Sequence, residues 1–110
     1  MGLFSAIKDT RVAYDLQEAA RTINSNTQSI ITIANKYGMS KPTGYDRTQI
    51  LGYVQSIEDK ALYMKRRMND LEPEHLFQTM VPCMDGHLTA VPGYVMAMLE
   101  MVQEMRKELL

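Results

Sequence analysis

Ala13-Tyr14-Asp15-Leu16-Gln17-Glu18-Ala19-Ala20-Arg21-Thr22-Ile23-Asn24-Ser25-Asn26-Thr27-Gln28-Ser29-Ile30-Ile31-Thr32-Ile33-Ala34-Asn35-Lys36-Tyr37 is the stretch that decides the fold. Steps of alternately three and four residues pick out Ala13, Leu16, Ala20, Ile23, Thr27, Ile30, Ala34 and Tyr37, one face of an α-helix. A small residue recurs at every seventh position (Ala13, Ala20, Thr27, Ala34), with Leu16, Ile23, Ile30 and Tyr37 between. A face shaped this way lets a second helix approach closely. A neighbouring row, Val12, Ala19, Asn26 and Ile33, widens it. The short polar side chains from Asn24 to Ser29 compete for backbone hydrogen bonds. The apolar phase nevertheless runs through them unbroken. The stretch therefore reads as one continuous helix with a polar layer at its middle, whereas a break capped by Ser25 or Asn26 would let the phase slip.

Working outward, the helix extends over 3–38 and ends at Gly38, a residue suited to a left-handed cap. Its first turns carry Leu3, Phe4 and Ile7. Gly2 lacks the Ser or Thr four residues on that acylation would want, since position 6 is Ala6, and three apolar side chains alone hold a membrane weakly. These residues are assigned to a contact with a neighbouring subunit. Residues 39–45 are a turn punctuated by Pro42 and Gly44, with Asp46 as the expected N-cap of the next helix. That helix, 46–71, repeats the pattern with Ile50, Val54, Ile57, Ala61, Met64, Met68 and Leu71, so the two form a long antiparallel hairpin. A short helix is expected over 74–81, between Pro73 and Pro82. Residues 83–93 read as irregular, with turns at Asp85-Gly86 and Pro92-Gly93. A C-terminal helix, 93–110, carries a stripe of Val95, Met98, Leu99, Val102, Met105 and Leu109. Met96, Met101 and Leu110 fall outside that stripe, more apolar circumference than one groove can bury. The fold class expected is all-α: a single domain over 1–110, a three- or four-helix bundle assembled into a homo-oligomer.

Composition bounds the function. The chain has 110 residues, 45% of them hydrophobic and 23% charged, as in a folded globular protein rather than a disordered one. A net charge of −1 with both signs interspersed gives no general case for nucleic acid or an anionic membrane as partner. The lone cysteine, Cys83, excludes an intrachain disulfide framework, and no apolar run is long enough to span a bilayer, so a cytoplasmic setting is the default. Methionine is unusually frequent at 10 residues, a side chain that fills irregular cores and adaptable binding surfaces alike.

Chemistry-bearing residues are few. His75, Cys83, Asp85 and His87 are metal- or thiol-type groups, but their spacing matches no structural zinc pattern, and Glu72 and His75 give only one Glu-x-x-His. No metal or cofactor is assigned, and the chain is read as non-enzymatic. Lys60, Lys65, Arg66 and Arg67 make a basic side of the second helix, with Tyr53 and Tyr63 alongside and Arg47 at its start. Together these suit a small phosphate-bearing ligand such as a nucleotide, held in a groove between subunits. No glycine-rich phosphate loop supports a nucleotide fold. The expectation placed first is an interaction protein (adaptor, regulator or inhibitor) that contacts itself and another protein, with Tyr94, Met96, Met98, Met101 and Met105 as interface residues. A metal- or thiol-dependent site at His75, Cys83 and His87 stands last.

Overall fold

A computed structural model describes residues 2–109. The deciding stretch lies inside a single helix, α1 (Leu3–Ala34), that passes through Asn24–Ser29 without interruption. Its polar middle is satisfied instead of disruptive. The Thr27 hydroxyl donates to the Ile23 carbonyl at 2.9 Å, and Asn26 Nδ2 donates across the helix pair to Ser56 Oγ at 2.9 Å. The buried face is centred between the two expected rows, on Val12, Leu16, Ala19, Ala20, Ile23, Thr27, Ile30 and Ile33, leaving Ala13, Ala34 and Tyr37 half-buried.

α1 ends four residues before the expected Gly38. The amides of Lys36 and Tyr37 bond back three residues, to Ile33 and Ala34, and Gly38 then turns the chain at φ +58°. The second helix, α2, is Gly44–Arg67. Asp46 lies inside its first turn and is not the N-cap, which is Thr43. The Asp46 carboxylate accepts the Tyr37 hydroxyl at 2.7 Å and pairs with Lys36 Nζ at 3.5 Å, tying the turn closed. The expected stripe is realised: Ile50, Val54, Ile57, Ala61, Met64 and Leu71 are buried, with Met68 half-buried. α2 tightens into a 3-10 turn at Met68–Asp70 before Leu71 takes extended backbone. The hairpin is antiparallel, as Asn26 with Ser56 and Asp15 with Arg67 show.

The next segment departs from the short helix expected there. In place of a helix over 74–81 there is one 3-10 turn, Pro73–His75, then a strand, β1 (Met80–Pro82). The eight residues between the prolines are too few to nucleate a helix, and Pro82 biases Val81 to extended backbone. A second strand, β2 (Leu88–Ala90), lies in the segment expected to be irregular and pairs antiparallel with β1, Val81 opposite Thr89. The turn between them uses Gly86 at φ +88°. The fold is thus mostly helical with a small two-stranded sheet.

The last helix, α3, runs Val91–Leu109 and starts two residues early. Pro92 stands in its first turn, where a missing N–H costs nothing, so Pro92-Gly93 opens the helix rather than forming a separate turn. α3 lies antiparallel to α2: Arg106 reaches Glu58 at 2.6 Å, and Arg47 Nη2 donates to the Leu109 carbonyl at 3.2 Å. Leu110, expected in this helix, lies outside the described residues. One core joins all parts, with Val81 of β1 and Val91, Val95 and Val102 of α3 packed among the hairpin residues. The whole measures 54 × 22 × 18 Å.

Candidate functional site

The candidate phosphate-binding residues are strung along α2. Arg47, at its first turn, donates through Nε and Nη2 to the Leu109 carbonyl at 3.3 and 3.2 Å, closing the C-terminal end of α3. Arg67, at its last turn, holds Asp15 Oδ2 at 2.9 Å and Asp70 Oδ2 at 2.7 Å, and those carboxylates hold its guanidinium more firmly protonated than usual. About 30 Å of helix separates the two arginines. Both are engaged within the fold, and the structure does not bring them together. Lys60, Lys65 and Arg66 are exposed and, among the described residues, form no ion pair. Lys60 Nζ stands 5.9 Å from the centroid of the Tyr63 ring, a cation–π distance, while Tyr53 and Tyr63 are half-buried against the core.

His75, Cys83 and His87 are also kept apart in role. His75 Nδ1 bonds to Asp9 Oδ2 at 2.5 Å, and the same buried carboxylate accepts the Glu72 amide at 3.3 Å. The His75 hydrogen bond, followed by that of Glu72, outweighs burial and holds the Asp9 carboxyl below its ordinary range. His87 is exposed at the end of the hairpin, where Asp85 takes its ring N–H at 2.9 Å and its backbone N–H at 3.0 Å. That contact lowers the Asp85 carboxyl and raises the imidazole. Cys83 donates its backbone amide to the His87 carbonyl at 2.7 Å, and its side chain is half-buried against the core. Among the described residues no group of three or more His, Cys, Asp or Glu is arranged to hold a metal ion.

Of the expected interface residues on α3, Tyr94 turns inward. It is 3% exposed, and its hydroxyl donates to Asn24 Oδ1 at 2.8 Å and the Ala20 carbonyl at 3.2 Å. Burial pushes its phenol far above the ordinary tyrosine range. Met98, Met101 and Met105 are half-buried against the core, and Met96 alone of the five is exposed.

The segment from Phe77 to Ala90 makes the more coherent surface. β1 is fastened to α1 by side chains: Gln17 Nε2 donates to the Met80 carbonyl at 3.3 Å and Asn24 Nδ2 to the Pro82 carbonyl at 2.8 Å. Val81 then points into the core, which turns Met80, Pro82, Leu88 and Ala90 to the opposite face of the sheet. Met80 and Leu88 are exposed there, with Met84 at the tip turn and Phe77 just before β1 also exposed. The signal available was weak, since three-residue strands show too little alternation to read. A cleft of about 500 Å³ opens between the α1–α2 turn and the end of α3. Ile30, Met39, Ile50 and Met105 line it, and Lys41 is its one cation among the described residues, so it does not coincide with the basic side of α2. Among the described residues no helix is long and apolar enough to cross a membrane. The chain matches no protein-family model, and no curated protein or solved structure is significantly similar to it.

Proposed function

We propose that this is a small non-enzymatic interaction protein, an adaptor, regulator or inhibitor, acting in the cytoplasm through protein–protein contacts as a homo-oligomer. The observation that carries the reading is the β-hairpin with the turn before it, where Phe77, Met80, Met84 and Leu88 are exposed within twelve residues of chain. Large apolar side chains gathered on a rigid, fastened element favour burial by a partner, and methionine adapts to its shape. Light scattering tests it. The native mass at micromolar concentration should be a multiple of 12.6 kDa, and Leu88→Asp should return it to the monomer. A monomeric wild type that binds no apolar dye would remove the basis of the proposal. A second reading, a phosphate-bearing ligand at the basic and tyrosine side of α2, is supported by Lys60 lying over Tyr63 with no carboxylate partner among the described residues. Thermal-shift measurements over a nucleotide panel test that reading, and no stabilisation by any member would end it.

A further inference from the structure

The first two turns of α1 differ from the rest of the helix. From Asp9 onward each turn sends a side chain into the core, but none between Gly2 and Lys8 is buried. Leu3 is 71% exposed, Phe4 85% and Ile7 57%, and Tyr14, two turns beyond Ile7 on the same line, is 60%. At 100° per residue these four fall on the side of the helix away from Val12 and Leu16. Arg11 lies beside the line and Lys8 between it and the buried face, and neither forms an ion pair among the described residues. The antiparallel pairing brings Lys65 and Arg66, equally unpaired, to the same end of the molecule. The carboxylates nearby are already engaged, Asp9 by His75 and both Asp15 and Asp70 by Arg67. Glu18, one turn beyond Tyr14, is paired with Arg21, and Glu72 presents its backbone amide to Asp9 on the side of α1 opposite the stripe.

We infer that this stripe docks on an anionic phospholipid surface. Leu3, Phe4 and Ile7 enter the acyl boundary, Tyr14 sits at the interface, and Lys8 and Arg11 meet the headgroups. A second copy fits the stripe poorly. The four side chains offer on the order of 500 Å², short of the roughly 800 Å² per partner that a stable contact buries. A two-fold contact would also gather the unpaired Lys8 and Arg11 of both copies into one interface with no carboxylate of the stripe to meet them. A negative lipid surface suits both the shape and the charge. Three apolar side chains alone are too weak for it, and the second signal is supplied by the exposed Tyr14 and by the unpaired cations at the same end.

Co-flotation of the full chain with phosphatidylcholine vesicles, with and without phosphatidylserine, tests the inference. Binding is expected to the phosphatidylserine vesicles and to fall as salt rises. Phe4→Asp should lower the partition coefficient by about tenfold or more. Lys8→Gln and Arg11→Gln should each lower it by about fivefold. Since Phe4 is exposed, its variant keeps the wild-type circular dichroism and melting temperature. Three results would overturn the inference: no binding to phosphatidylserine vesicles at low salt, equal binding by Phe4→Asp, or a drop in native mass on Phe4→Asp. The last would make a second copy the occupant. The vesicle result stands apart from the hairpin reading, whose failure appears as an unchanged native mass in Leu88→Asp.

Discussion

The bond chain Tyr94–Asn24–Pro82 joins three elements, and its worth can be measured by a double-mutant cycle. Tyr94 of α3 donates to Asn24 of α1 at 2.8 Å, and Asn24 donates onward to the Pro82 carbonyl of β1 at 2.8 Å. Tyr94→Phe keeps the ring in the core and removes one hydroxyl bonded to two acceptors, a loss of about 1–1.5 kcal/mol. Asn24→Ala removes two bonds and leaves the Pro82 carbonyl without a donor, while Tyr94 retains its bond to the Ala20 carbonyl at 3.2 Å, for about 2–3 kcal/mol. The bond shared by the two side chains implies a coupling of about 1 kcal/mol, the double variant being less damaged than the sum. Urea denaturation of the four proteins at constant m-value gives the numbers. Strict additivity, or a Tyr94→Phe effect below about 0.3 kcal/mol, would show that packing alone holds α3 to α1 and would refute the reasoning. The same phenol predicts an alkaline limb. Burial raises its folded-state ionisation above that of the unfolded chain, so the folded protein retains a proton that the unfolded chain releases. The stabilisation is complete below about pH 10 and declines as pH rises beyond it, and Tyr94→Phe should lack that component.

Three further outcomes follow from the fold. Asp9→Asn should speed amide exchange over residues 72–79 while sparing the middle of α1. It should also flatten the acid limb, because a carboxyl held low in the folded state stabilises above its unfolded value and ceases to do so as pH falls through the folded one. Leu16→Ala, at a fully buried position of α1, should cost about 3 kcal/mol by calorimetry or denaturant, and a cost below about 1.5 would mean that the site collapses around the gap. Gly38→Ala meets open space, so its cost is backbone strain at φ +58°, about 1 kcal/mol in the denaturation midpoint.

The helical hairpin was legible because long helices repeat their signal. The α2 stripe from Ile50 to Met64 is buried without exception, and on α1 five of the eight stripe residues (Leu16, Ala20, Ile23, Thr27 and Ile30) are buried where the spacing puts them. The β-hairpin was not legible, because what makes it a hairpin is remote. Gln17 and Asn24 reach its edge from 63 and 58 residues away, and three-residue strands carry no periodicity of their own. The candidate site suffered in the same way. A row of cations on α2 looks like one surface until Asp15, 52 residues distant in sequence, takes Arg67 and the α3 terminus takes Arg47. Asp9 carried a usable signal. It stands three residues before Val12 and seven before Leu16, on the buried face, where an acid is expected only with partners.

The polar layer of α1 is better understood as a register device than as a flaw in the helix. A stripe with a small residue every seventh position would accept a partner shifted by one heptad with nearly the same apolar fit. Asn26 removes that freedom. In the observed register it meets Ser56 at 2.9 Å, whereas a heptad shift would set it against Gln49 or Tyr63, larger side chains that the space over a serine does not admit. Asn24, two residues earlier and so on the other flank, fixes β1 and α3 in the same way. Two amides on opposite sides of one helix therefore align all three partners of α1. That is why the competing side chains do not break the helix: Asn24 and Asn26 find partners on other elements, and Thr27 and Ser29 bond the carbonyl of the preceding turn, which leaves the helical ladder intact. With the inner face of α1 fully committed in this way, recognition is left to what faces outward, the sheet face of the hairpin and the first turns of α1 beyond the core.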